Sequence, residues 1–413
     1  VSPTTRSAGI AAVLALLVLA LGPLLPLLGF IALLVAVAVD AHAVSGPPAV
    51  EIEVAETLAR GVGTRLAIAV APGAQRRALI RQACPAGISA TPNDGEGSLH
   101  ATLTASVRGR HTLPGPAIRL VGPLGLASWD HRGSSHKLVV YPDLPAARRL
   151  AHAVRTRSLG APLRQRGPLG IGTEFELVRE HVDGDDIRQM NWLATARVGR
   201  AMTNQFRLDS ERDVLCLIDC GRLMTVPIGD RSRLDIALDA TAAIALATEE
   251  LGDRCGAVAF DTGVRCSVAP SHRAATRVVR AVFDLEARPV ESDYESAFAL
   301  AGARKHMVAV FFTDLLDERA AQALLGAAAI LSRRHSILVA SPRDPAIDAV
   351  PDREPREPRE VYETAVALDV LAARAAAVTR LRRYSDAIVE APPSTFSAAC
   401  VRAYLRIKAR ARA

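Results

Sequence analysis

Lysine is almost missing from this chain of 413 residues. Lys137, Lys305 and Lys408 are the whole complement, and arginine supplies the rest of the 50 basic side chains. Against 43 acids the formal charge is +7. Spread over such a length, that is a weak excess. No arginine run is interleaved with aromatics, so the footprint of a nucleic-acid binder is absent. Aromatics make up 4% of the chain, and its cores must be built from Ala, Val and Leu. The six cysteines, Cys84, Cys216, Cys220, Cys255, Cys266 and Cys400, are scattered and form no CxxC pair. Cys216 and Cys220 share one face of a predicted strand, but no second ligand pair follows. They read as small core hydrophobes in a reducing compartment. His100, His111, His131 and His136 lack metal-ligand spacing. GxSxG, HExxH, a P-loop and a supported Cys-His pair are all missing, so no nucleophile and base can be named.

Charge is also missing between residues 7 and 39, where "SAGIAAVLALLVLALGPLLPLLGFIALLVAV" and two more apolar residues run from Arg6 to Asp40. One helix of that length would reach roughly 50 Å, well beyond a bilayer core. The "GPLLP" at its centre, with Gly22, Pro23 and Pro26, favours a turn. The expectation is two short spans, about 9–21 and 26–39, forming a transmembrane hairpin. A single signal anchor is the rival reading. A hairpin with Arg6 inside leaves the body cytoplasmic at the plasma membrane, as unpaired cysteines also favour.

Four regions follow from the patterning: a membrane anchor at 1–44, a β-rich domain at 45–150, a signature and linker at 151–212, and an α/β domain at 213–413. The second alternates with period two between turn-forming clusters and reads as a small β-sandwich. In the last, "DVLCLIDC" and "HMVAVFFTDLLD" are apolar runs of the buried-strand type, alternating with helical patterns. That order implies a parallel sheet covered by helices. Asp219 and Asp314 end two of those strands, at the edge where such sheets bind ligands. The two carboxylates could hold a hard cation or simply cap the next helices. "DREPREPRE" at 352–360 reads as a solvated loop, and the last helix has a basic end suited to its own C-terminus or to anionic lipid.

Six acids gather with arginines around Trp192 at 172–197, "GTEFELVREHVDGDDIRQMNWLATAR". Asp185 and Asp186 look like the N-terminus of a helix that carries Arg188, Trp192 and Ala196 on one face. With Arg179 they could clamp that helix at a domain junction, around a buried-looking Trp192, or present a docking surface. Gly172, Glu174, Phe175, Arg179, Gly184, Asp185, Asp186, Arg188, Trp192, Ala196 and Arg197, with "RGRHTLPGPAIRLVGPLGLASW" and "LVVYPDL" upstream, resemble the bacterial domain of unknown function 58 family. His181 stands where that family usually has Tyr, and Gly122 where Asp is common.

The resemblance implies an α/β half similar to the von Willebrand factor A fold. It also implies a protein partner, a MoxR-type AAA+ ATPase. That fold's metal site uses Asp-x-Ser-x-Ser, a Thr and a later Asp. Here its positions fall on Asp219, Gly221 and Leu223, with Ser292 for the Thr and Asp314 for the last acid. Both serines are missing, so the expected site is degenerate. No cofactor is expected beyond weak Mg²⁺ or Mn²⁺. Two functions follow: a membrane-anchored scaffold or adaptor, not an enzyme, or alternatively a metal-dependent hydrolase using Asp219 and Asp314.

Overall fold

Of the two apolar helices at the N-terminus, the first begins and the second ends on one β-turn. In the computed structural model the described residues are 2–22, 24–73, 75–159, 169–182, 187–207, 212–302, 306–315 and 318–410; within them, side chains are described except at 19–21, 157–159, 169–177, 188, 205–207 and 318–321. Two compact units emerge, Val1–Asp143 and Leu144–Ala413.

In the first unit, β1 (Ser2–Pro3) leads into helix α1 (Thr5–Leu21), and α2 (Leu24–Ala43) follows. The helices are longer than the sequence suggested, because only Gly22, at φ +74, ends α1. Pro26 lies in the first turn of α2, where a missing N–H costs nothing. At 20 residues, α2 is long and apolar enough to cross a bilayer; α1 offers a shorter apolar stretch. A Cβ on Gly29 would meet the Leu14 side chain at 2.9 Å, so the two helices touch.

The β-turn joins β2 (Ala117–Val121) to β3 (Ala127–Arg132). β1 pairs antiparallel with β3, and Thr4 donates from N to Leu126 O at 3.0 Å and from Oγ1 to Gly125 O at 2.7 Å. At the far end of α2, fully buried Asp40 accepts three backbone N–H groups of the same turn: Leu124 at 2.7 Å on one oxygen, Leu126 at 2.7 Å and Ala127 at 2.8 Å on the other. A Cβ on Gly122 would lie 2.3 Å from the Asp40 carboxyl carbon, so glycine there makes room for the carboxylate. β1, β2 and β3 belong to a five-stranded sheet, and with sheets of four and three strands it encloses one core that includes Leu66, Ile68, Ile80, Leu103, Ile118 and Val140.

The second unit opens with α3 (Leu144–Leu159) and a two-stranded ladder, β4 (Leu169–Glu180) against β5 (Met202–Arg207), with α4 (Trp192–Val198) between them. A six-stranded sheet follows, built from β6 (Asp213–Asp219), β7 (Arg254–Phe260), β8 (Val264–Ser271), β9 (Met307–Phe312), β10 (Ser336–Pro342) and β11 (Ala387–Ala391). Its order is β8-β7-β6-β9-β10-β11, parallel except at β8. The sequence reading passed over β8. "VRCSVAPS" alternates and is only half buried, as an antiparallel edge strand should be.

On one face, Leu215, Leu217, Ala309 and Phe311 form a core with α7 (Tyr294–Gly302), α8 (Glu318–Leu331) and α9 (Pro358–Leu381). On the other lies α5 (Arg233–Glu250), covered in turn by α3, α6 (Ala275–Val282) and α10 (Phe396–Arg410). That cover explains why α5 is apolar nearly all round. Ser232 and Asp235 close its N-terminus as a capping box. The "DREPREPRE" stretch is a loop only as far as Glu357, because Pro358 takes the first position of α9.

Candidate functional site

β6 delivers Asp219, 1% exposed, to the C-terminal edge of the sheet. Its carboxylate is filled by the chain itself. Ser292 Oγ donates to Oδ1 at 2.5 Å, and Gly221 N–H to the same oxygen at 2.8 Å. Tyr294 OH and Thr313 Oγ1 reach Oδ2 at 2.7 and 2.8 Å. A Cβ on Gly221 would sit 2.1 Å from Ser292 Oγ. A serine at 221 and the present seat of Ser292 are therefore mutually exclusive.

Asp314 lies at the same edge but on the opposite face. β6 and β9 pair Ile218 with Phe312, so one residue on it is Thr313, not Asp314, that stands beside Asp219. A one-residue offset in a strand turns a side chain to the other face. Asp314, fully buried, forms an ion pair with Arg233 of α5 through Oδ2. Its Oδ1 accepts from Leu315 N at 2.8 Å and Ser341 Oγ at 3.2 Å. Ser341 Oγ also accepts from Arg374 Nη2 at 3.1 Å, and Arg374 Nε donates to Glu390 Oε1 at 2.6 Å. Burial is the main cause that pushes the Arg233 guanidinium down to about 10, and neighbouring Arg374 adds to it. Asp219 does not cap the helix that follows its strand; Gly221 is the cap residue of the 3₁₀ turn Arg222–Thr225, and Ser232 caps α5.

These residues do not fit a hard cation. Such an ion takes near-octahedral oxygen ligation with several waters. Asp219 spends its lone pairs on four protein donors, and Asp314 is neutralised by Arg233 on the far face. Among the described residues no group of three or more His, Cys, Asp or Glu side chains is placed to hold one ion. Tyr294 and Thr313, which complete the Asp219 cluster, were missed in the sequence. Tyr294 follows Ser292 by two residues and Thr313 precedes Asp314 by one, but only the register shows which hydroxyl faces the acid.

The helix of the signature segment starts later than expected. The chain leaves β4 at Glu180, makes a 3₁₀ turn at Ile187–Gln189, and forms a single bridge from Met190 to Thr203. That bridge pulls the backbone out of helical geometry. α4 therefore starts only at Trp192, with Asn191 as its cap, the side-chain oxygen accepting from Ala194 N at 2.9 Å. Gly199, in the left-handed region, ends it. Asn191 Nδ2 donates to Asn204 Oδ1 at 2.8 Å, and Met202 N to Thr195 Oγ1 at 3.0 Å, which ties both ends of α4 to β5.

Trp192 is not buried. It is 66% exposed, with Leu193 at 68% and Ile187 at 70%; Val182 and Val198 are also exposed. No residue of α4 is buried. Arg197 lies exposed in its last turn, and Arg200 pairs loosely with Glu180 at 3.6 Å. Arg179 is half-buried and donates to Glu180 O at 2.9 Å. Asp185 and Asp186, and the side chains of Glu174 and Arg188, lie outside the described residues. The apolar members of this patch are the ones that sequence reasoning passed over, because the charges around them drew the attention.

The segment falls at the start of the region that known proteins share. Three uncharacterized proteins, one from Mycobacterium bovis and two from Mycobacterium tuberculosis strains, are each 26% identical to this chain over 221 residues, covering 49% of it and 68% of their own length. A family profile described as "Protein of unknown function DUF58" matches residues 177–385, from the end of β4 to just before β11. With half of its length under that profile, the chain belongs to the DUF58 family.

Proposed function

We propose that this protein is a membrane-anchored adaptor that docks a protein partner on the apolar patch around α4. The observation that carries the reading is a helix of seven residues that buries none of them and exposes Trp192 and Leu193. So short a helix is marginal by its own propensity. Exposed aromatic and aliphatic side chains grouped together mark interaction sites more often than ordinary surface. The partner is a MoxR-type AAA+ ATPase, as the family resemblance implies, and the mostly parallel sheet that follows the patch in the chain is von Willebrand A-like. α1 and α2 cross the plasma membrane as a hairpin. The reading is supported by the attachment of both outer helix ends to the turn at 122–127. A hairpin returns the chain to its starting side, and Arg6 places that side, with the body, in the cytoplasm.

The protein acts here as a scaffold and not as an enzyme. A hydrolase using Asp219 and Asp314 on one metal would need both acids on one face, and they occupy opposite faces. The test uses the full chain in nanodiscs with a purified MoxR-type ATPase. Trp192→Ala with Leu193→Ala removes two exposed side chains, so unfolding stability changes by no more than the small amount usual for surface substitutions, about 0.5 kcal/mol each. Affinity for the ATPase falls by tenfold or more, on the order of 1.4 kcal/mol. Unchanged affinity at unchanged stability contradicts the docking reading.

A further inference from the structure

At the β2–β3 turn that holds both apolar helices, two arginines converge. A Cβ placed on Gly125 would lie 3.4 Å from Arg6 Nη1 and 3.5 Å from Arg76 Nη1. The guanidinium groups thus flank one open point, which Gly125, at φ +72, leaves free of a side chain. Both arginines are exposed. Among the described residues no carboxylate pairs with either, and the nearby acid, Asp40, is buried and committed to three backbone donors. Two like charges drawn to one point without a counter-charge call for an anion, and a guanidinium fork matches phosphate oxygens.

The position says which anion. Arg6 lies in the first turn of α1, and the turn receives the end of α2, so the pair sits where the apolar helices meet the β domain. On the membrane-anchor reading above, on which this inference rests, that level is the lipid headgroup layer of the leaflet facing the body. The geometry points to a site for the phosphate of an anionic phospholipid, clamped between Arg6 and Arg76. The lipid neutralises the pair and fixes the height of the β domain over the bilayer.

The test uses the full chain in detergent micelles containing phosphatidylcholine and phosphatidylglycerol, with bound lipid counted by native mass spectrometry. The wild type retains phosphatidylglycerol. Arg6→Gln with Arg76→Gln loses that retention by roughly thirtyfold, from the attraction of two basic residues at a membrane surface. Arg382→Gln with Arg383→Gln, an equal change of charge at exposed residues elsewhere, leaves retention unchanged. Equal retention by the first pair and the wild type overturns the site, as does displacement of the lipid by inorganic phosphate, which would mark a general phosphate site. Alkaline extraction of membranes separates the two readings. Wild type released from the membrane fails the anchor, whereas membrane-embedded protein that shows no selective loss fails the arginine site alone.

Discussion

Asp314 illustrates what a buried charge demands of its neighbours. Fully enclosed, it has Arg233 as its counter-charge, itself 1% exposed. Removing one member of such a pair strands the other in a low-dielectric interior, at about 3–5 kcal/mol. Asp314→Ala is therefore expected to destabilise the second unit by that amount in denaturant unfolding of the solubilised protein. Arg233→Met with Asp314→Leu is expected to cost much less than the two single changes together, because no charge is left alone. His335 is the opposite case, a buried ring whose nitrogens have no hydrogen-bond partner among the described residues. Burial, then His306 and Arg334, hold its pKa below the ordinary 6.5. Below about pH 6.5 the unfolded chain takes up a proton that the folded ring refuses, so stability is full above that pH and declines as the pH falls toward the folded value. Melting curves across that window should show the decline, and His335→Phe should flatten it.

Elements show where sequence pattern is enough and where it is not. β6 and β9 were legible because strands buried on both faces read as unbroken apolar runs. α5 was legible from its helical spacing. β4 and β5 were not, because they form an isolated ladder with little alternation, and in the sequence the acids Asp185 and Asp186 invite a helix start. The real cap, Asn191, is an equally good capping residue, and what selects it is a tertiary bridge to β5 that no local pattern records. The same limit applied to Asp219 and Asp314. Asp219 ends β6 as read, whereas β9 stops at Phe312, two residues before Asp314, and which face each acid occupies depends on register between strands. The seat of α2 adds a further contact invisible in sequence, since Asp40 and Gly122 meet across 82 residues of chain. Gly122→Asp should drive a second carboxylate against Asp40 and lower the melting temperature. Gly46→Asp, at a position where an added Cβ meets nothing within 4 Å, should leave it unchanged.

On the scale of the whole molecule, the chain combines an apolar helix pair, a β unit seated on it, and an α/β unit whose sheet edge is closed by its own hydroxyls and arginines. The buried polar groups there are turned inward, as structural networks are. The surface we propose for recognition is the excursion between β4 and β5, at the start of the family match. That placement is the central claim, and hydrogen–deuterium exchange on the reconstituted full chain tests it most directly. In the free protein the amides of residues 192–198 should exchange fast, because α4 buries nothing. With the MoxR-type ATPase bound they should become protected, while the amides of β6 and β9 stay unchanged. Amides of α4 that are already protected in the free protein, or that keep their fast exchange when the ATPase is bound, would contradict the account.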